Sequence, residues 1–319
     1  MSIIVYIEHL EGKLKKQSRE LVSYASQLAE KTSQKVTAVG VGDISREELE
    51  SLSRFGASKI IHCSNPEAAT LENQVYTQLL AEIFEKESGE ILILANSFTG
   101  KAIAPRLSVR LKAGLVAGVV DLPESLDPFV VKKKIFNGKA FAHSQILTKS
   151  KILSLNSNAC EVKEKPVESE WEEFSSQVSA PKAEIVDVSK MDADNLLTEA
   201  SIVVSGGRGM KGADKWKPIE ELASLLKGAT ACSKPVSDEG WRPHEEHVGQ
   251  TGKTIAPDLY IAVGISGAVQ HLAGVSSSKT IVAINSDKDA PIFEIADYGI
   301  VGDAHEVLPA FIQSVSKLD

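Results

Sequence analysis

The sequence is poor in the residues that build disulfide and metal sites. Its three cysteines, Cys63, Cys160 and Cys232, lie far apart, and there is neither a C-x-x-C pair nor a Cys/His cluster with metal-ligand spacing. The segment HEEH at 244–247 is out of register with the H-E-x-x-H zinc motif. We therefore expect reduced thiols, no disulfide framework and no metal site.

A basic excess and long apolar runs are also missing. The 35 Lys and Arg against 43 Asp and Glu give a formal net charge of −8, which disfavours nucleic acid as a partner because phosphate backbones need a basic surface. No apolar run reaches the roughly 20 residues of a membrane span, and the first residues lack the basic start and apolar core of a signal peptide. The sequence predicts a cytoplasmic protein without membrane insertion.

What is present suffices for a globular core. Hydrophobic residues make up 43% of the 319 residues, and this length predicts two domains of ordinary size. Up to about residue 115, short apolar runs alternate with amphipathic helical patterns, which is typical of a parallel sheet with helices on both faces. The predicted elements are strands at 3–7, 35–42, 59–63 and 91–95 and helices at 15–31, 47–55 and 69–86.

The alternation stops after residue 115. Asn137-Gly138 lies between two β-rich runs and predicts a hairpin, and we expect residues 129–158 to add antiparallel strands to the same domain. Residues 160–180 are charged and predicted to be irregular. A last strand is predicted at 184–189, followed by a connector at 191–200.

Residues 191–319 alternate again and predict a second domain with a Rossmann-like, doubly wound sheet. Its predicted elements are strands at 201–205, 259–264, 280–285 and 298–303 and helices near 216–227, at 267–273 and from 304. The predicted fold class is therefore α/β with two domains. Residues 1–190 form a mostly parallel sheet with added antiparallel strands, and residues 191–319 form the doubly wound domain.

The stretch VGQTGKT at 248–254 ends like a phosphate-binding loop of a nucleoside triphosphatase. In the pattern G-x-x-x-x-G-K-[ST] the first glycine would fall at His247. Such a loop also opens a helix, whereas Pro257 disfavours a regular helix here. The sequence therefore disfavours an NTPase.

Polar and glycine residues follow four predicted strands of the second domain. Because ligands of open α/β sheets bind outside the carboxyl ends of the strands, Gly206-Gly207-Arg208, Gly264 to Gly267, Asn285 and Asp303 predict a dinucleotide site. Two simpler interpretations stay open at this stage. The Gly206-Gly207 pair suits a tight turn, and Asp303 suits a helix cap.

Several segments resemble the alpha subunit of electron transfer flavoproteins. In the second domain these are LYIAVGISGAVQHLAG (259–274), TIVAIN (280–285), ADYGIVGD (296–303), VVSGGRG (203–209), ACSKPVSDEGW (231–241) and VGQTGK (248–253). In the first domain ANSFTGKAIAPRLSVRL (95–111) matches best.

The resemblance implies one FAD, held mostly by the second domain, and a heterodimer with a beta subunit. It implies an electron carrier rather than an enzyme, which accepts electrons from flavin dehydrogenases such as the acyl-CoA dehydrogenases of fatty acid β-oxidation and passes them to a membrane quinone oxidoreductase. The FAD contacts carried over by position are Arg208, Ser233, Lys234, Val248, Gly249, Gln250, Thr251, Ser266, Gly267, Ala268, Val269, Gln270, His271, Asn285 and Asp303.

Within that set, His271, Lys234 and Thr251 are expected to tune the flavin. We expect His271 to donate to the flavin C2 carbonyl and Thr251 to bond the reactive ring nitrogen, while Lys234 supplies positive charge. The family usually has arginine at position 234, and lysine keeps the charge but loses the planar guanidinium. His244 and His247 are expected to be polar loop residues.

Two alternatives remain open on the sequence alone. One is the alpha subunit of an electron-bifurcating, NADH-oxidising relative, which differs mainly through its partner subunit. The other is a nucleotide-sensing module without a redox role.

Overall fold

The computed structural model describes residues 1–69, 71–138, 140–178, 186 and 197–317. The chain divides into two compact units, Met1–Val188 and Ser189–Asp319. The domain boundary predicted at 190 lies outside the described residues. So do the strand predicted at 184–189, apart from residue 186, and most of the predicted connector.

The first unit is built on a ten-stranded sheet within the described residues. Its strands are β1 (Ser2–Ile7), β2 (His9–Leu10), β3 (Lys13–Leu14), β4 (Lys35–Val41), β5 (Lys59–Cys63), β6 (Gly89–Ala95), β7 (Gly114–Val119), β8 (Ser125–Leu126), β9 (Phe129–Ile135), β10 (Ala140–Ile146), β11 (Lys151–Leu155) and β12 (Glu170–Phe174), and its helices are α1 (Gln17–Thr32), α2 (Arg46–Glu50), α3 (Asn73–Lys86) and α4 (Phe98–Leu111).

The sheet order is β10-β9-β7-β11-β6-β1-β4-β5-β12, with β8 paired to β9, while β2 and β3 form a separate short hairpin. All pairings from β7 to β12 in this order are parallel, and those of β8, β9 and β10 are antiparallel. The predicted mostly parallel sheet with added antiparallel strands is thus confirmed.

The central strand β1 explains the two-sided core. All its residues are buried, as expected for a parallel strand covered on both faces. Ile3 and Val5 pack with the cluster that contains Leu21 of α1, whereas Ile4 packs with the cluster that contains Leu79 of α3. The period of two along the strand therefore assigns alternate side chains to the two helical layers.

Strand β11 corrects one prediction. Residues 151–155 were expected to join the antiparallel part, but β11 lies between β6 and β7 and is parallel to both. All its residues are buried, which is the pattern of an interior parallel strand rather than of an edge. The hairpin predicted around Asn137-Gly138 is confirmed by the antiparallel pairing of β9 and β10.

Two further elements escaped the sequence patterns. Residues 170–174, predicted to be irregular, form the edge strand β12 parallel to β5, where Glu172 pairs with Lys59; charged side chains are common on edge strands. Helix α4 contains Gly100 and Pro105, which weaken its helical pattern. Ser97 caps this helix by accepting a hydrogen bond from the Gly100 N–H at 3.0 Å.

The second unit is a five-stranded sheet in the order β14-β13-β15-β16-β17 with every pairing parallel. Its strands are β13 (Ile202–Gly206), β14 (Ala229–Cys232), β15 (Leu259–Val263), β16 (Thr280–Asn285) and β17 (Tyr298–Val301), and its helices are α5 (Lys217–Leu225), α6 (Lys234–Asp238), α7 (Val269–Val275) and α8 (Ala304–Val315). Counted along this unit the strand order is 2-1-3-4-5, a doubly wound topology whose strand order reverses between β13 and β15. The predicted doubly wound domain is confirmed.

None of the helices in the described part of the chain is long and apolar enough to cross a membrane.

One buried carboxylate fastens a loop of the first unit to α1. Glu20 is 6% exposed, and its carboxylate accepts hydrogen bonds from the N–H groups of Asn158, Ala159 and Cys160 at 3.0, 2.6 and 3.3 Å. Hydrogen bonds to a charged acceptor are stronger than neutral ones, and buried N–H groups left without an acceptor are costly.

We expect Glu20→Ala to lower the free energy of unfolding of this unit by about 2–4 kcal/mol, because three N–H groups lose their acceptor. Chemical denaturation of the full-length chain measures the loss. The control is Glu30→Ala on the same helix, where the exposed carboxylate pairs with exposed Lys165 and the expected loss is much smaller. Equal losses in the two variants would contradict this assignment.

Candidate functional site at the carboxyl edge of the second sheet

The carboxyl ends of β13 to β17 lie at one edge of the second sheet, because all neighbouring strands are parallel. The residues predicted to bind FAD follow these ends: Ser233 and Lys234 after β14, Arg208 after β13, Ser266 to His271 after β15, Asn285 at the end of β16 and Asp303 after β17. The structure thus brings the predicted set to one edge.

The loops after β13 and β15 contact each other backbone to backbone. Gly207 N–H donates to the Val263 carbonyl at 2.8 Å, and Gly209 N–H donates to the Gly264 carbonyl at 3.0 Å. A Cβ on Gly207 would lie 2.2 Å from the Gly264 oxygen, and one on Gly209 would lie 2.6 Å from the Gly264 Cα. These glycines are therefore required by the contact between the two loops at the switch point.

The segment after β15 is open on its outer side. Ser266, Ala268, Val269 and Gln270 are exposed, while Gly267 is buried with φ +87° and leaves only 2.4 Å between an added Cβ and the Ile292 nitrogen. Helix α7 begins at Val269, two residues later than predicted, and no described side chain caps it. Four of the five residues at 266–270 are accordingly exposed, and the segment leads into the start of α7.

Residues 247–253 form a loop fastened between β14 and α7. Val248 N–H donates to the Cys232 carbonyl at 3.0 Å, and Gln250 N–H donates to the Gln270 carbonyl at 2.8 Å. Gln250 and Thr251 are exposed. Residues 255–258, which follow the loop, are not helical and lead directly into β15, whereas a triphosphate-binding loop opens a helix.

His247 is a buried residue of this loop, although we expected a polar loop residue. It is 2% exposed, and an added Cβ on Gly252 would lie 2.7 Å from its Nδ1. The loop closes around the ring because Lys253 N–H donates to the His247 carbonyl at 2.9 Å. Burial, with the neighbouring charges of His244 and Lys234, lowers the pKa of His247, so the ring is uncharged at neutral pH.

Both ring nitrogens of His271 are bonded inside the protein. Nδ1 lies 3.0 Å from the Val248 carbonyl oxygen, and Nε2 lies 2.8 Å from the Tyr260 hydroxyl. Burial lowers the pKa of His271 to about 4, against a smaller opposing effect of the Val248 carbonyl. A neutral ring bonded in this way has no N–H left for a flavin carbonyl. The donation expected from His271 therefore needs one of these two internal contacts to be replaced, and it stays a prediction.

Asn285 and Asp303, at the ends of β16 and β17, are held by hydrogen bonds and an ion pair at the carboxyl edge of the sheet. Asp303 caps α8 by accepting a hydrogen bond from the His305 N–H at 2.9 Å, as the helix-cap interpretation of this residue predicted. Its carboxylate also pairs with the Lys211 ammonium group at 2.8 Å. The hydrogen bond from Lys211 lowers the pKa of Asp303. Asn285 Nδ2 donates to the Ile265 carbonyl at 2.8 Å. Tyr260 and Lys211 were missed by sequence reasoning. Tyr260 lies within the quoted segment 259–274 but at a strand position that the pattern assigns to the core, and Lys211 lies outside the quoted motifs.

These residues fit an anionic dinucleotide. Arg208 and Lys234 are exposed cations at the ends of neighbouring strands, although Lys234 also pairs with Asp238 at 3.5 Å. The segment 266–270, which leads into α7, can donate main-chain N–H groups to phosphate, and Asn285 and Asp303 can accept from ribose hydroxyls. No cluster of potential metal ligands occurs in the described ranges.

Fold and edge define the class: a doubly wound α/β domain with a ligand crevice at its topological switch point. Residues 196–276 match the electron transfer flavoprotein FAD-binding domain family, and residues 3–193 match the electron transfer flavoprotein domain family. The chain therefore belongs to the electron transfer flavoprotein alpha subunit family, as the motifs predicted, and FAD is the cofactor of that family.

Curated relatives agree over nearly the whole length. The electron transfer flavoprotein subunit alpha of Mycobacterium leprae is 37% identical, covering 98% of this chain and 97% of its own. That of Bacillus subtilis is 34% identical, covering 99% and 98%. Among solved structures, a Rhodococcus jostii thiamine diphosphate-dependent 4-hydroxybenzoylformate decarboxylase covers 98% of this chain and 59% of its own, but its TM-score of 0.23 and identity of 10% support no inference.

The lowered pKa of His271 predicts a pH-dependent stability of the second unit. The ordinary pKa of 6.5 applies to the unfolded chain and about 4 to the folded one, so the unfolded state binds the extra proton between these values. The free energy of unfolding should be constant above about pH 6.5 and fall by roughly 3 kcal/mol as the pH drops towards 4.

Urea denaturation of the full-length chain across this pH range measures the fall. His271→Gln should remove most of this fall in the free energy of unfolding, and the lowered pKa of His247 should account for the part that remains. The control His143→Gln removes an exposed imidazole paired with Glu124 and should leave the fall intact. A His271→Gln profile as steep as that of the wild type would count against this assignment.

Proposed function

We propose that this chain is the FAD-binding alpha subunit of a heterodimeric electron transfer flavoprotein. It accepts electrons from flavin dehydrogenases of the acyl-CoA dehydrogenase type, passes them to a membrane quinone oxidoreductase, and turns over no substrate of its own. The single observation that carries the proposal is the convergence of the predicted FAD contacts at the carboxyl edge of the second sheet. Bound FAD would supply the redox chemistry, and the chain binds and orients it.

The two sides of the crevice have different tasks in this proposal. The N–H groups of the segment 266–270 and the side chain of Arg208 hold the phosphates, and Asn285 and Asp303 bind the adenosine part. The loop residues 248–251 contact the flavin, with Thr251 at its ring. Positive charge from Lys234 favours negative charge on the flavin, although its exposed pairing with Asp238 weakens this effect.

The first domain, residues 1–190, contributes to the heterodimer, and residues 191–319 form the FAD-binding domain. Exposed apolar side chains on and beside the β9–β10 hairpin support a partner contact. Phe136 and Phe141, at the turn end of the hairpin, are 76% and 52% exposed. Large apolar side chains that cluster on a surface mark protein interfaces. We place the complex in the cytoplasm.

The test is co-expression with the beta subunit, followed by purification and identification of the released cofactor. We expect a yellow heterodimer with one FAD, reduced by an acyl-CoA dehydrogenase with its substrate and reoxidised by a quinone oxidoreductase. A second FAD together with direct reduction by NADH would instead identify the electron-bifurcating alternative. A colourless complex would favour the nucleotide-sensing module and refute the proposal.

Asp303→Ala should weaken FAD retention about tenfold, because it removes an acceptor for the ribose hydroxyls worth about one hydrogen bond. Dialysis of the heterodimer with flavin fluorescence of the dialysate measures retention. The control Lys211→Ala removes the ion pair but keeps the carboxylate, and its retention should stay within about twofold of wild type. Equal loss in the two variants would assign the effect to the Lys211–Asp303 ion pair and contradict direct contact of the carboxylate with FAD.

A further inference from the structure

A buried hydrogen-bonded chain runs under the predicted FAD loop. Tyr260 on β15 is 0% exposed and His271 on α7 is 6% exposed. The Tyr260 hydroxyl lies 2.8 Å from His271 Nε2, and His271 Nδ1 lies 3.0 Å from the Val248 oxygen. The chain therefore joins three elements: the central strand, the helix after the switch point and the loop that carries Thr251.

The donors and acceptors of this chain have only one neutral arrangement. A carbonyl oxygen only accepts, so Nδ1 must carry the proton that it donates to Val248. The neutral ring then has its lone pair at Nε2, and only the Tyr260 hydroxyl can supply a proton to that contact. Burial raises the pKa of Tyr260 well above its ordinary value, so the hydroxyl keeps its proton and can donate.

The ionisable groups around the His271 ring do not include a negative charge that would stabilise a protonated ring. The ionisable groups that face His271 are Tyr260 and His247, and beyond Tyr260 lies Cys232. Burial lowers the pKa of His247 and raises the pKa of the Cys232 thiol to about 12, so both are uncharged at neutral pH. No carboxylate therefore appears among these groups to compensate a charged His271 ring.

We propose that Tyr260 is a positioning residue of the FAD site, whose hydroxyl donates to His271 Nε2 and holds His271 as the uncharged Nδ1–H tautomer that fastens the loop at Val248. The proposal deepens the proposed function and rests on it for the relevance of the loop to FAD. In the resting protein the uncharged His271 ring thus holds the loop in place, and positive charge at the crevice comes from Arg208 and Lys234.

The first measurement is made on the wild-type heterodimer and needs no variant. Nitrogen-15 NMR of histidine-labelled protein distinguishes protonated from unprotonated ring nitrogens. We expect His271 to show a protonated Nδ1 and an unprotonated Nε2 from pH 5 to pH 8. His271→Gln assigns the signals by their loss. A protonated Nε2 at pH 7 would overturn the proposal.

The second measurement uses Tyr260→Phe, which keeps the buried ring and removes only the hydroxyl. Loss of its hydrogen bond should raise the titration midpoint of His271 by about one pH unit. The matched control Tyr24→Phe removes another buried hydroxyl, which donates to the Asp121 carbonyl in the first unit, and should leave the midpoint unchanged. An unchanged midpoint in Tyr260→Phe would overturn the proposal.

The flavin potential separates this proposal from the proposed function. If FAD is bound, Tyr260→Phe should make its midpoint potential more positive than that of wild type as the pH falls towards the raised midpoint, because a charged His271 favours negative charge on the flavin. A potential that follows the wild type at every pH would overturn the positioning role. If the wild-type complex lacks FAD, the proposed function fails, while the ring-nitrogen signals still decide the role of Tyr260.

Discussion

The backbone contact between the loops after β13 and β15 is the constraint on which the candidate site depends. Gly207 and Gly209 bond to Val263 and Gly264 without an intervening side chain. This contact lies at the switch point of the sheet, where helices leave in opposite directions and a crevice opens. Any side chain at these glycines would separate the loops, and Arg208 would move away from the 266–270 segment.

The loop of residues 247–253 illustrates how a flexible-looking motif is made rigid. Val248 is bonded to β14 and Gln250 to α7, the His247 ring lies within the loop, and the Val248 carbonyl accepts from His271. Glycines in this loop suggest mobility in the sequence, but here they allow two backbones to pack closely. A Cβ added to Gly274 of α7 would lie only 2.6 Å from the Cα of Gly249. Such pre-organisation places Gln250 and Thr251 on the outer surface without a further ordering cost.

Prediction from the sequence was strongest where the pattern was local and periodic. The strands at 59–63 and 280–285 agree with the structure residue for residue, because apolar runs bounded by polar residues define parallel strands directly. The prediction failed for β11, because its position between β6 and β7 depends on pairing across the sheet. It also failed for β12, because its charged residues are typical of an irregular segment and only the folded chain supplies Lys59 and Lys86 as their partners. Helix α4 escaped because Gly100 and Pro105 interrupt its pattern.

The sequence by itself determined the α/β class, the family and which residues lie near strand ends, because these follow from local periodicity and short motifs. Only the tertiary structure decided what those residues contact. It buried His247, turned both nitrogens of His271 inward to Tyr260 and Val248, and paired Asp303 with Lys211. The physical reason is that protonation and hydrogen bonding depend on burial and on partners distant in the chain, and neither is encoded in the spacing of a motif.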